Sequence, residues 1–307
     1  MRQVLSLLPF FLAGSLSCFG ALDQALIALV PADSKLIASI DVTSAGNSEF
    51  GQYFLKRVDS EDKGLQNFVQ QTGFDPRRDL QDLVFASSGA AGTNSNSRGV
   101  ILARGSFDIS RLKAMAEAHG SSVEQYQGTD LLINKHDKNA LAFPETGVAV
   151  LGDVDSVRNV IAHRSNPAAL DPAVTRQIER IGAANDVWFV SPSGAQFLAN
   201  AGAQFQNAQT LQSILQSSGG IHFGETVRLS LDAVTRSPED ANSLVAVVRF
   251  VAGMAQTQDH NSQQMAILAS SLNAMDIQVS GSNVHMSMSV SEKNLEQIAQ
   301  LEGKHSR

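Results

Sequence analysis

Thiols are almost missing from this sequence: Cys18 is the only cysteine in 307 residues. A disulfide scaffold and a redox dithiol are thereby excluded, and a core of this size can form without such staples. Basic runs are missing as well. The densest is Arg77-Arg78, which aspartates flank, and the formal net charge is −7. A nucleic-acid binder needs a basic stripe to neutralise phosphates, so no nucleic-acid partner is expected. One tryptophan and two tyrosines leave too few rings for a carbohydrate platform. What remains, 43% hydrophobic and 17% charged residues, is the composition of a globular protein rather than a disordered or collagen-like one.

Long apolar runs are scarce too. Val4 to Leu16 is apolar but is interrupted by Pro9 and falls short of the roughly 20 residues that cross a bilayer. With Arg2 ahead of it and small residues behind, it reads as a secretory signal over residues 1–20. Cleavage is expected between Gly20 and Ala21, with Cys18 and Gly20 as the small residues that the peptidase accepts. No membrane span then remains, and the product is periplasmic or extracellular. A retained anchor is one alternative. Lipidation of Cys18 is another, although Ser15 stands where lipoprotein signals carry a large aliphatic residue and Leu16 comes one place late.

Chemistry-bearing constellations are equally sparse. The histidines at 119, 136, 163, 222, 260, 285 and 305 show no metal-ligand spacing. "GDVDS" (152–156) begins like a calcium loop but lacks the later ligands, so Asp153 or Asp155 is better read as a helix cap. Ser191 and Ser193 leave a strand for a helix without the glycine of a nucleophile elbow. "SEDK" (60–63) matches a Ser-x-x-Lys spacing in a polar connection where Lys63 would be hard to desolvate. "GAAGTNSNSRG" (89–99) lacks the lysine and following helix of a phosphate loop. No catalytic residue, cofactor or metal is expected.

Periodicity predicts alternating helices and strands. Residues 21–31 read as a short helix ending before Pro31, 35–42 as a strand, and 48–58 and 64–73 as helices. "DLVFASS" (82–88) and "GVILARG" (99–105) read as buried strands. A helix follows over 108–120, capped by Asp108 and closed by Gly120. Hairpins are expected over 123–135, turning at Gln127-Gly128, and over 139–153, turning at 144–147. A helix at 154–164 leads to a proline-containing boundary at 165–172. Beyond it come a strand at 186–191, helical stretches 193–201 and 210–218, strand material over 221–234 and helices at 238–255 and 264–272. A hairpin over 275–290 turns at Gly281-Ser282, and a last helix frays into a polar tail at 302–307.

The pattern predicts an α+β fold: antiparallel sheets covered by helices on one face, in two related halves, 21–171 and 172–301. Three pairs of segments raise an internal duplication. "LQNFVQQTG" (65–73) resembles "LQSILQSSG" (211–219), "SIDVTSAG" (39–46) resembles "VWFVSPSG" (187–194), and "RGSFDISRL" (104–112) resembles "RSPEDANSL" (236–244). Their unequal offsets require a deletion in the second half between Gly219 and Arg236.

The most crowded stretch is "QQTGFDPRRDLQDLVFASSG" (70–89). Arg77 and Arg78 are the weak candidates for an anion site. Asp75, Asp79 and Asp82 compete for them, however, and each has a local role. Gly73 closes one helix, Asp75 and Pro76 start another, and Asp82 ends that turn ahead of the strand. A structural joint is the simpler account.

Two passages, "LVPADSKLIASIDV" (29–42) and "TGFDPRRDL" followed by "GVILARGSFD", resemble a group of exported bacterial proteins of unknown function. That resemblance implies export and a shared fold over most of the mature chain, and carries no catalytic residues. The expected role is a non-enzymatic, envelope-associated binding or interaction module. Its partner would be a protein or a small apolar ligand, met in a groove between the halves or at an exposed strand edge such as 283–290. The alternative is a secreted hydrolase whose site is assembled from residues distant in sequence.

Overall fold

A computed structural model describes residues 22–52, 63–88, 99–164, 169–194, 208–257, 274–292 and 294. The leader with Cys18, Gly20 and Ala21, the expected helix 193–201 beyond Gly194, the end of the expected helix 48–58, the expected helix at 264–272, most of the loop 89–99 and the C-terminal tail lie outside them.

The fold is α+β, built on one twelve-stranded antiparallel sheet. Its strands are β1 (Leu36–Asp41), β2 (Leu80–Ser87), β3 (Gly99–Gly105), β4 (Ser122–Tyr126), β5 (Thr129–Ile133) and β6 (Asn139–Glu145). They continue with β7 (Val148–Asp153), β8 (Val187–Ser191), β9 (Ile214–His222), β10 (Thr226–Thr235), β11 (Asp276–Ser280) and β12 (Asn283–Ser291). The order across the sheet is β11-β12-β10-β9-β8-β1-β2-β3-β7-β6-β5-β4. The halves therefore share a single sheet, joined where β1 pairs β8.

The described helices are α1 (Gln24–Ala28), α2 (Val42–Asn47), α3 (Lys63–Thr72), α4 (Pro76–Asp79) and α5 (Ile109–Ala118). They are followed by α6 (Val154–Arg164), α7 (Pro172–Gly182), α8 (Ala208–Gln212) and α9 (Pro238–Thr257). Capping explains most starts. Asp23, Asp41, Asp75, Asp108 and Asp171 each precede a helix and accept hydrogen bonds from its first backbone N–H groups. In the hairpin turn after β4, Gln127 and Gly128 both have positive φ, 46° and 77°, as a tight two-residue connection requires.

Alternation along each strand sorts the side chains onto two faces. The first face carries Ile37, Val84, Val100, Leu102, Val150 and Val190, all buried under α1, α6 and α7. Each large aliphatic side chain buried there contributes about 1.5–3 kcal/mol. On β10 and β12 this same face turns polar, with Ser230, Asp232 and His285, and the apolar side chains move to the second face. There Ala233, Val284 and Met286 pack against Ala241, Leu244 and Val245 of α9. At the opposite end α5 also lies on the second face, held by Lys113 to Asp130 at 2.7 Å. Helices thus cover both faces, at different places, where one covered face was expected.

Other expectations are corrected by the same register. The stretch 210–218 is helical only to Gln212, and Ile214 onward is central strand β9. Ser217 and Ser218 lie buried there, and Gly219 and Gly220 permit close neighbours: a Cβ on Gly219 would stand 2.8 Å from the Phe189 ring. The proposed match of 65–73 with 211–219 consequently pairs a helix with a strand. A sequence duplication is not shown. The strand order still reads alike outwards from the centre: β1-β2-β3 on one side and β8-β9-β10 on the other, each followed by strands that return after α5 or α9. Two helices went unexpected, α2 and α7. The residues 283–290 are no edge, because β12 is paired on both sides; among the described strands the outermost are β4 and β11. Finally, β2 begins at Leu80, so Asp82 sits inside the strand rather than ending a turn.

Candidate functional site

Two features stand out at the middle of the sheet, one on each face. On the first, Asp82 faces Asp41 directly across β1/β2 and Arg104 directly across β2/β3. These side chains share a small cleft with Leu22, Asp23, Ser39, Val84, Gly182, Asn185, Asp186 and Trp188. Gly182 makes room for it: a Cβ there would stand 3.1 Å from Leu22 Cδ1 and 3.2 Å from Trp188 Nε1.

Three of the four acids in the cleft are engaged. Asp23 caps α1 through Ala25 and Leu26 N–H, each donating at 3.0 Å, and receives Arg104 Nε at 2.7 Å. Burial pushes its pKa up, but the Arg104 hydrogen bond and the capping N–H groups outweigh this and leave it below the ordinary value. Asp41 receives the Ser44 N–H and hydroxyl at 2.8 Å each. Asp186 receives Phe223 N–H at 2.7 Å and lies 3.0 Å from His222 Nδ1. The Asp82 carboxylate alone accepts no hydrogen bond among the described residues. Burial raises its pKa to about 6, the charges of Asp41 and Asp23 push the same way, and Arg104 opposes them. The cleft measures about 20 Å³, room for about one water molecule.

The second feature is the opposite face. Along β1, β2, β3 and β7 the residues Ala38, Phe85, Ile101 and Leu151 stand side by side in register. The row continues through Phe189, Gly219, Leu231, Met286 and Ile277 on one flank and Leu141, Leu132 and Val123 on the other. A single apolar line therefore crosses all twelve strands. Its ends are covered by α9 and α5. Its centre is left open by the described helices: Phe85, Ile101 and Leu151 are 37%, 38% and 43% exposed, and Ile40 beside them is 39% exposed. Scattered exposed leucines are ordinary, but a contiguous apolar patch marks a contact surface.

The residues singled out in the sequence lie elsewhere. Arg77 Nε and Nη2 bind Asp75 at 2.8 and 2.7 Å. Arg78 binds both oxygens of Asp79 at 2.7 and 2.8 Å and the Gly73 carbonyl at 3.2 Å. That hydrogen bond holds the Asp79 carboxyl below the ordinary carboxylate value. Asp153 caps α6 through Ser156 N–H at 3.0 Å. The rings of His119 and His163 meet the carbonyls of Met115 and Asn159, and His285 Nδ1 lies 2.7 Å from Asp232. Ser191 donates to the Lys35 and Gly194 carbonyls. Among the described residues no group of three or more His, Cys, Asp or Glu side chains is arranged to hold a metal, and no helix is long and apolar enough to cross a membrane.

Sequence reasoning missed the Asp41–Asp82–Arg104 row, whose members are distant in sequence and meet only through strand register. The open face did leave a signal. "LVFA" and "VILA" are continuous apolar runs, which mark a strand apolar on both faces.

The architecture defines the class, a helix-decorated single antiparallel sheet of the α+β type. No known protein family matches the chain, and no curated protein matches it. Solved structures do: TP0453 in crystal form III is similar at a TM-score of 0.53 and 11% identity, covering 89% of this chain and 96% of that one. Crystal form IV gives 0.53 at 10% identity and form I gives 0.50 at 11%, each covering 89% of this chain and 95% of the other. At such identity the likeness establishes a common fold and nothing further.

Proposed function

We propose that this chain is a non-enzymatic interaction module that acts outside the cytoplasm, associated with the envelope, and that its contact surface is the open apolar centre of the second sheet face. The observation that carries this reading is the in-register group Phe85, Ile101 and Leu151 with Ile40 beside it, each more than a third exposed and left uncovered by the described helices between α5 and α9. A partner protein fits the surface better than a small molecule. Small ligands take concave sites that enclose most of their surface, whereas this face is broad and is part of an extended sheet. A specific protein contact hides about 800 Å² on each side around an apolar centre. Export is supported by the leader-like residues 1–20 and by the resemblance of "LVPADSKLIASIDV" and "TGFDPRRDL" to exported bacterial proteins.

A photo-crosslinking residue placed at Ile101 in the native host, with another at Ser230 on the polar first face as control, tests the reading. A discrete adduct at Ile101 that Leu151→Asn abolishes is expected. Adducts of equal yield at both positions, or none at Ile101, would overturn it. An adduct with the mass of two copies would identify a second copy of this chain as the partner.

A further inference from the structure

We propose that β11 pairs along its outer side with β11 of a second copy, antiparallel about a two-fold axis at Gln278, so that two twelve-stranded sheets become one. The inference stands apart from the open apolar face.

An outermost strand turns every second set of backbone N–H and C=O groups away from its sheet, and those groups are a template for another strand. Among the described strands β11 bonds only β12, and four of its five residues are exposed. It has none of the devices that discourage pairing: no proline, no lysine or arginine, and no bulge against β12. Its one charge is Asp276, at its first residue. The outermost strand at the far end, β4, is built differently. Glu124 stands at its middle, held by Arg158 Nη2 at 2.6 Å, and the same guanidinium lies 5.9 Å from the Tyr126 ring. Pairing β4 with its copy over all five residues would set Glu124 against Glu124, which opposes association.

The sequence of β11, Asp-Ile-Gln-Val-Ser, complements itself. Turned about Gln278, Ile277 meets the second copy's Val279, Gln278 meets Gln278, and Asp276 meets Ser280. Ile277 already packs with Met286 on the core beneath α9, whereas Val279, beside the buried Val284, is 41% exposed. Pairing carries that apolar row across the seam and covers Val279. On the first face the Gln278 amide gives one N–H to Asp276 at 2.7 Å and keeps a donor and an acceptor for its copy. The neighbouring His285 is already bonded to Asp232. The two Asp276 carboxylates stand four residues apart along the seam, about 14 Å, beyond the screening length of physiological salt. A strand from another protein would have to match this pattern, while a second copy carries it by construction. The contact is isologous, so it uses up β11 in both copies and closes at two.

Sedimentation velocity of the protein isolated from its host tests this. A seam of five residues is smaller than the standard contact of about 800 Å² per side, so monomer and dimer are expected to exchange within a concentration series reaching about 1 mM. Gln278→Lys and Gln278→Glu each set a charge against its own copy and should weaken dimerisation roughly fivefold. Mixed in equal amounts, the two variants should associate at least as strongly as the unaltered chain, a recovery that misfolding cannot produce. Gln125→Lys, on β4, should leave the dimer intact. Monomer alone throughout, species that grow past two copies, a dimer indifferent to both Gln278 variants, or a mixture that stays monomeric overturns the proposal. So does a dimer that Leu151→Asn abolishes and Gln278→Lys spares, which would place self-association on the open apolar face instead.

Discussion

Asp41 and Asp82 lie directly opposite each other on β1 and β2, two carboxylates in one cross-strand pair at the centre of the sheet. Like charges in that position oppose strand pairing. The arrangement persists because Asp41 is occupied with capping α2 and because Arg104 flanks Asp82 from the other side.

The first prediction concerns the pH dependence of stability. The Asp82 pKa is raised from 3.8 to about 6 on folding. A raised carboxyl favours the folded state below its unfolded pKa, and that contribution is lost as pH climbs through the folded value. Asp82 should therefore give stability a component that declines between about pH 4 and 6. Asp82→Asn should remove that slope and stabilise the fold at pH 8 by about 1–2 kcal/mol, after allowance for solvent screening. Urea denaturation over a pH series measures both.

The opposite sign holds for Asp23, whose pKa is lowered on folding. Its contribution is present above the unfolded value of 3.8 and disappears as pH falls below it. Asp23→Ala removes both the α1 cap and the Arg104 partner, and should destabilise the chain by about 1–2 kcal/mol at pH 7. Arg104→Met should carry a similar penalty and should also raise the Asp82 midpoint, because the one opposing charge is gone. Fluorescence of Trp188, the sole tryptophan, reads that midpoint from within the cleft.

Neighbouring residues on β3 should behave in opposite ways. Leu102 is fully buried on the first face, and Leu102→Ala should cost about 3–4 kcal/mol through lost contacts and the cavity left behind. Ile101 points to the open face, and Ile101→Thr should cost under about 1 kcal/mol while reducing the binding of an apolar fluorescent dye. Equal losses at the two positions would show that the second face is covered in solution.

Ile178 tests the helix that the sequence reading omitted. It lies on the buried side of α7 and is fully enclosed. Ile178→Ala should lower stability by about 2–5 kcal/mol. Calorimetry of the variant measures the loss, and an effect under about 1 kcal/mol would mean that α7 does not belong to the core.

Local signals were readable and long-range ones were not. Capping aspartates and positive-φ glycines fixed the hairpins and most helices, because those interactions close within four residues. The helix α7 carried the same signals, Asp171-Pro172 at its start and Val174, Ile178 and Ile181 along one side, but the prolines before it read as a boundary. The helix α2 was hidden by β-branched residues and glycine, which propensity disfavours in helices. "LQSILQSSGG" looked helical through its spacing of leucines, yet the middle of a sheet admits small buried residues where neighbouring rings fill the gap, as Phe189 does over Gly219. The switch of covered face between the halves, and with it the open patch, depends on which strand lies beside which. The apolar runs of β2 and β3 mark strands apolar on both faces, but not which of those faces a helix covers.

Pairing of β1 with β8 sets Ile37 against Val190, partners separated by most of the first half of the chain. A polypeptide made from its amino end forward completes β1 long before β8 exists. Until then one side of β1 has its backbone N–H and C=O groups bare, a template for any passing strand. Closure of the seam is thus a late step of folding, and a slow one, since the sheet has its most distant pairing at its very centre.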